Sequence, residues 1–214
     1  MCGRFSQFTD VKIVKKYFQI DDVTVELNKD YNISPGRNIP TIIKSNDQKI
    51  LNLMKWGMIP YWEKRDRAGK LINIRAETLL NKKTFNKTFR EKRCLIVADG
   101  FYEWDKKTKQ PYYIYRADNK PIAFAGLWKY ESENYKSCSI ITTKPNKKIK
   151  AIHNRMPVFI NKSNINYWLN TLGFDKSELK KYLTPANPDS IKVRRVSRLV
   201  NNPKNNTREC IKEV

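Results

Sequence analysis

Cys2 offers the least ordinary chemistry in the sequence. If Met1 is removed, Cys2 carries a free α-amine and a thiol on one residue, a 1,2-aminothiol. Methionine aminopeptidase generally removes Met before a small side chain, and Cys qualifies. The amine condenses with an aldehyde to a Schiff base, and the thiol then closes a five-membered thiazolidine ring. An internal cysteine cannot do this, because its nitrogen is an amide. Reference values of about 7.7–8.0 for an α-amine and about 8.5 for a thiol leave useful fractions of both nucleophiles near neutral pH. The plain alternative is an unimportant cysteine after a start codon.

Three other segments combine reactive and aromatic residues. In Ala98-Asp99-Gly100-Phe101-Tyr102-Glu103-Trp104, a carboxylate stands between two aromatics just after an apolar strand. Desolvation there raises a carboxyl pKa and makes Glu103 a candidate proton donor; a salt bridge to one of the many lysines is the alternative. In Ile152-His153-Asn154-Arg155-Met156-Pro157 lies the only histidine of the chain, His153. Its ordinary pKa suits proton shuttling at neutral pH, although a lone histidine is usually structural. In Ile72-Asn73-Ile74-Arg75 the polar and apolar residues alternate, so Asn73 and Arg75 share one strand face. That face suits a phosphate or sugar site, and equally a solvated surface. Trp56, Tyr61 and Trp62 beside a basic loop have the makings of a base-stacking platform or of ordinary core.

The elements that must position these residues are short. The 214 residues include 43 Lys and Arg against 21 Asp and Glu, a net charge of +22. Such an imbalance points to a polyanion partner, nucleic acid first and a membrane surface second. An AT-biased, lysine-rich genome would also produce it. A 40% hydrophobic content indicates a folded protein. No run approaches the length of a transmembrane helix, and no basic region followed by an apolar run suggests a secretory signal. A cytoplasmic protein, nuclear in a eukaryote, is expected. The four cysteines, Cys2, Cys94, Cys138 and Cys210, show no zinc spacing, so reduced thiols and no metal are expected.

Strands are expected at Ile39–Lys44 and Ile50–Trp56, joined around Asn46-Asp47, and at Cys94–Ala98 and Gly100–Trp104. Others are expected at Tyr112–Tyr115, Ile122–Trp128, Ser137–Thr142, Met156–Ile160 and Ile191–Val196. Helices are expected over Thr9–Phe18, Ser163–Leu172 and Ser177–Tyr182, and a turn at Tyr31–Gly36. The fold class is α+β: a single domain, 1–214, with an antiparallel barrel-like β-sheet core and peripheral helices.

Seven motifs occur in order: Met1-Cys2-Gly3-Arg4-Phe5, Asn32-Ile33-Ser34-Pro35-Gly36, Trp56-Gly57-Met58-Ile59-Pro60, Asn73-Ile74-Arg75-Ala76-Glu77-Thr78, Asp99–Trp104, His153-Asn154-Arg155-Met156-Pro157 and Val196-Ser197-Arg198. Together they resemble the SRAP family (SOS-response-associated peptidase domain) over almost the whole chain. The resemblance implies action on abasic sites in single-stranded DNA, in the SOS and DNA-damage response. It implies a covalent thiazolidine between Cys2 and the ring-opened abasic sugar that shields the lesion. Catalytic positions would be Cys2, Asn73, Glu103 and His153. DNA contacts would be Arg4, Pro35, Trp62, Arg75, Lys83 and Arg155, Lys83 standing where an arginine is expected and losing its bidentate geometry. The loop Glu63–Leu71 looks longer and more basic than usual. No cofactor is implied, and a monomer nucleoid-associated when bound to DNA is expected.

In this reading Glu103 opens the cyclic hemiacetal, the Cys2 amine forms the Schiff base with help from His153, and the thiolate closes the ring. Asn73 holds the Cys2 amine or carbonyl. An unresolved Schiff base would permit lyase chemistry. The alternatives are an N-terminal-cysteine peptidase, a hydrolase acting on itself, and a non-catalytic single-strand binder.

Overall fold

The computed structural model describes residues 2–59, 70–133 and 135–214. Trp62 and all but the last two residues of the 63–71 loop lie outside the described residues, as do Pro60 and Tyr61. In chain order the elements begin with β1 (Phe5–Gln7), α1 (Val11–Phe18), β2 (Asp22–Val23), β3 (Asp30–Ile33), β4 (Asn38–Ser45) and β5 (Gln48–Trp56). They continue through β6 (Asn73–Arg75), α2 (Ala76–Asn81), α3 (Asn86–Glu91), β7 (Arg93–Ala98), β8 (Gly100–Trp104) and β9 (Pro111–Arg116). The rest are β10 (Ile122–Ser132), β11 (Tyr135–Thr143), α4 (Lys147–Lys150), β12 (Met156–Pro157), α5 (Ile165–Leu169), α6 (Lys176–Lys181) and β13 (Ile191–Arg195).

Five strands close into a barrel. β4 pairs β5, β7 pairs β4, β10 pairs β7 and β11 pairs β10, all antiparallel. The ring closes where β11 meets β5 in parallel, Ser137 opposite Lys55 and Cys138 opposite Trp56. The expected antiparallel barrel is therefore mixed, with one parallel seam. The β4–β5 hairpin turns on Asn46 (φ 46°) and Asp47 (φ 61°). Both occupy the left-handed region that a two-residue hairpin turn demands and that Asn and Asp tolerate. Gly126 in β10 is required by packing: a Cβ there would collide with Ile96 and Cys94.

Alternation along the barrel strands feeds two cores. Ile42, Leu51, Leu95, Val97, Ala125 and Ile141 pack against residues of the helices, among them Val14, Phe18, Leu79, Phe89, Trp168 and Leu179. The opposite faces of the same strands, including Ile39, Met54, Trp56, Ile96, Phe124 and Ile140, pack against Phe5, Phe101, Ile114 and Ile191. These last residues belong to a second sheet of five strands in the order β13-β9-β8-β1-β3. No helix among the described residues is long and apolar enough to cross a membrane.

Two expected elements differ in extent. Only Met156–Pro157 of the expected strand pairs regularly. The following residues wedge between strands: the Val158 amide donates to Ile141 O and the Ile160 amide to Ala123 O, each at 2.9 Å. The helix expected at Ser163–Leu172 is α-helical only over Ile165–Leu169. Its terminal carbonyls are taken by the buried Arg93, which donates to Trp168 O and Asn170 O instead of leaving them to another turn.

What matters for function is how these elements converge. The β1–β8 register sets Phe5 opposite Phe101, and the Tyr102 amide donates to Arg4 O at 2.9 Å. Antiparallel continuation carries residues 2–3 toward Glu103. On β11, Ile140 faces Asn73 and Thr142 faces Arg75 on one edge, while Thr142 faces Pro157 on the other. The strand bearing Asn73 and the strand following His153 thus flank one end of β11.

Candidate active site at Cys2

Cys2 is fully buried. The Asn73 Nδ2 amide donates to Cys2 O at 2.8 Å. Asn73 is itself buried, and its Oδ1 has no hydrogen-bond partner among the described residues. An unpaired buried carbonyl is costly and marks a position awaiting a donor. The Cys2 thiol lies 4.0 Å from Arg4 O. Burial, and then the neighbouring Glu103, hold the thiol well above its ordinary range. The sequence-based expectation of a useful thiolate fraction is therefore corrected. The low-dielectric site and a nearby carboxylate disfavour the anion.

Glu103 is 3% exposed, and burial pushes its pKa up to about 7. A carboxyl group poised there both gives and takes protons at neutral pH. His153 Nδ1 lies 3.7 Å from Glu103 Oε1. His153 Nδ1 lies 3.2 Å from both the amide nitrogen and the carbonyl oxygen of Arg155, so the Arg155 backbone meets this nitrogen in either tautomer. Burial lowers the His153 pKa, which favours the neutral ring.

The expected DNA-contacting residues divide. Arg75 and Pro35 are exposed, as is Lys83 at the start of a 3₁₀ turn. Arg4 is half-buried, and its Nη1 is taken by Asn32 Oδ1 at 2.6 Å and Val200 O at 2.7 Å. Arg155 is 9% exposed and locked in a fork: Nη1 to Glu77 Oε1 and Nη2 to Glu77 Oε2, both 2.9 Å. Its Nη2 also donates to Thr142 O at 2.6 Å. The guanidinium expected on phosphate is thus tied inside the protein. Glu77 lies in the first turn of α2, but its partner is 78 positions away, and no local signal reveals it. Asn32 was part of a motif but carried no expected role; it fastens Arg4 and donates to Asn202 O and Asn205 O.

A groove of about 330 Å³ beside Asn73 is walled by Leu71, Ile74 and Phe85, with Arg75 and Lys82 at its edge. It is apolar within and positive at the rim, a combination that suits a nucleotide strand. Among the described residues no cluster of three or more His, Cys, Asp or Glu could hold a metal, and Cys94, Cys138 and Cys210 are buried free thiols.

Residues 1–203 match the family model "SOS response associated peptidase (SRAP)". The chain is 42% identical to abasic site processing protein YoqW of Bacillus subtilis (strain 168), covering 99% of both chains. It is 31% identical to abasic site processing protein HMCES of Xenopus tropicalis, covering 85% of this chain and 65% of that one. A crystal structure of a protein from Bacteroides thetaiotaomicron has the same fold, with a TM-score of 0.86 at 23% identity over the whole of both chains. The chain belongs to the SOS response associated peptidase (SRAP) family.

Proposed function

We propose that this protein processes abasic sites in single-stranded DNA by forming a covalent cross-link through Cys2, acting as a monomer of one domain, 1–214. The observation that carries the reading is the convergence of Asn73, Glu103 and His153 on Cys2: a 2.8 Å bond to its carbonyl, and an acid–base pair 3.7 Å apart beside it. The relatives named abasic site processing proteins support the substrate.

The reaction starts once the residue before Cys2 has been removed and the nitrogen is an amine. Glu103 protonates the ring oxygen of the closed sugar while the C1′ hydroxyl proton is taken up, which opens the hemiacetal to the C1′ aldehyde. The Cys2 amine adds to C1′ and gives a carbinolamine. Loss of water, with the proton supplied by Glu103 or relayed by His153, gives the Schiff base. Sγ then bonds to C1′ as the thiol proton passes to the imine nitrogen, so one water is released overall. Asn73 Nδ2 holds the Cys2 carbonyl, and its Oδ1 is the natural acceptor for the new amine. Positioning of this kind contributes several kcal/mol in well-oriented reactions. Interrupted at the Schiff base, the same site would cleave the strand as a lyase; ring closure prevents that. Hydrolytic removal of the preceding residue is the alternative reading, supported by the name of the family and by the acid–base pair beside Cys2.

Abasic single-stranded DNA incubated with the protein should give a shifted band that survives SDS. Cys2→Ala should abolish it. No band from protein whose intact mass shows a free Cys2 amine would overturn the proposal. Equal reaction with duplex DNA would overturn the single-strand preference. If Glu103→Gln retains the preceding residue while wild type loses it in a host lacking methionine aminopeptidase activity, the removal is autocatalytic; identical processing of both excludes it.

A further inference from the structure

We propose that Glu77 is a positioning residue: its carboxylate fixes Arg155, and through Arg155 it sets the tautomer and orientation of His153. The inference rests on the cross-linking reading for its kinetic consequence, but not for its structural one.

The chain of contacts is continuous. Both Glu77 oxygens meet both terminal nitrogens of Arg155 at 2.9 Å, the two-point match that an arginine fork makes with a carboxylate. Arg155 Nη2 also donates to Thr142 O at 2.6 Å, which ties the fork to β11. The Arg155 backbone in turn meets His153 Nδ1 at 3.2 Å, and the His153 amide is fixed to Ile149 O at 2.8 Å. Nδ1 faces Glu103 Oε1 at 3.7 Å. Rotating the Arg155 peptide therefore moves the imidazole relative to Glu103. The fork also joins the two segments that flank β11, since Glu77 follows the β6 strand of Asn73 and Arg75 and Arg155 follows His153. The Glu77 side chain is 45% exposed and that of Arg155 11%. The carboxylate is thus the accessible end of a largely buried linkage, and hydrogen bonding from Arg155 keeps it ionised well below neutral pH. A simple staple between α2 and β12 would look the same in distance, but it would not govern the histidine.

Because the chain contains one histidine, its ring can be followed without assignment ambiguity. In wild-type protein, ¹H–¹⁵N correlation of the imidazole should show a single neutral tautomer. Glu77→Gln, by releasing the Arg155 backbone, should mix the two tautomers. An unchanged tautomer in a folded Glu77→Gln protein would overturn the proposal. Should that variant not fold, Glu77→Asp, which keeps the charge but shortens the reach, takes its place with the same two outcomes. In single-turnover cross-linking, Glu77→Gln should slow the rate at saturating DNA about tenfold, part of the 10²–10⁴-fold that a positioned acid–base group supplies. The half-saturating DNA concentration should change less than twofold. In a His153→Gln background the same substitution should change the rate less than twofold, because its effect passes through His153. A full tenfold loss in that background would overturn the proposal. If wild type forms no cross-link, the functional reading fails, and the imidazole spectrum still decides the role of Glu77.

Discussion

Asp99 and Glu103 are two buried carboxylates four positions apart, one just before β8 and one within it, 9% and 3% exposed, and they do opposite things. Asp99 is surrounded by donors: Oδ2 accepts the Phe8 amide at 2.5 Å and the Thr9 amide at 2.8 Å, and Oδ1 accepts the Thr9 hydroxyl at 2.5 Å. Burial raises its pKa, and these three bonds pull it back. Its charge is used to fasten the chain after β1 to the start of β8. At Glu103 burial dominates and carries the pKa to about 7. What it faces is the His153 ring and Cys2. The difference teaches that burial alone does not leave a carboxyl poised to exchange protons; donors from fixed backbone turn the same group into a structural anchor.

The amide substitution therefore separates the two. Glu103→Gln should slow cross-linking by 10²–10³-fold at pH 7, within the range for losing a general acid–base group. A loss under threefold would break the comparison. The same change should stabilise the fold at high pH. A carboxyl raised from 4.5 unfolded to about 7 folded contributes stability that is full below 4.5 and lost as pH rises through 7. Glutamine has no charge to lose, so Glu103→Gln should exceed wild type by up to roughly 3 kcal/mol at pH 8 and equal it below pH 4.5. Urea melts across pH 4–8 measure this, and a gap that does not close in acid contradicts it. Asp99→Asn should go the other way. One side-chain NH₂ would confront backbone donors, which costs about 2 kcal/mol with cross-linking per folded molecule retained. The smallest effect is expected at the exposed rim: Lys83→Gln should weaken DNA binding a few-fold and reduce the slope of log K against log salt by about 0.7.

The sequence makes local geometry plain and distant partnership obscure. The Asn46-Asp47 hairpin, the Gly100–Trp104 strand and the Asp10-capped α1 follow from turn, strand and capping chemistry within a few residues. The alternation at 72–75 correctly sets Ile74 inward, though Asn73 is buried and Arg75 exposed on their common face. The parallel β5–β11 seam leaves no periodic mark, because it joins residues more than 80 positions apart. β1 is three residues long, too short for a pattern, yet its register carries Cys2 to Glu103. The segment 76–91, with its cluster of basic residues, forms α2 and α3, whose Leu79 and Phe89 are fully buried. Among the candidate site residues, chemical type pointed to Cys2, Glu103 and His153. The internal commitment of Arg4 and Arg155 depends on Asn32 and Glu77, whose roles no spacing rule reveals.

The burial of Cys2 bears on when the protein is usable. Oxidants that damage DNA also convert accessible thiolates to sulfenic acids and beyond, and both exposure and thiolate character set that susceptibility. Cys2 offers neither, being as inaccessible as the core thiols of Cys94 and Cys138. In the proposed reaction the nucleophile would be consumed once per lesion, so its shelf life would be the capacity of the whole pool. A sulfur kept protonated and enclosed until an aldehyde arrives would preserve that capacity through the same oxidative episode that creates the damage.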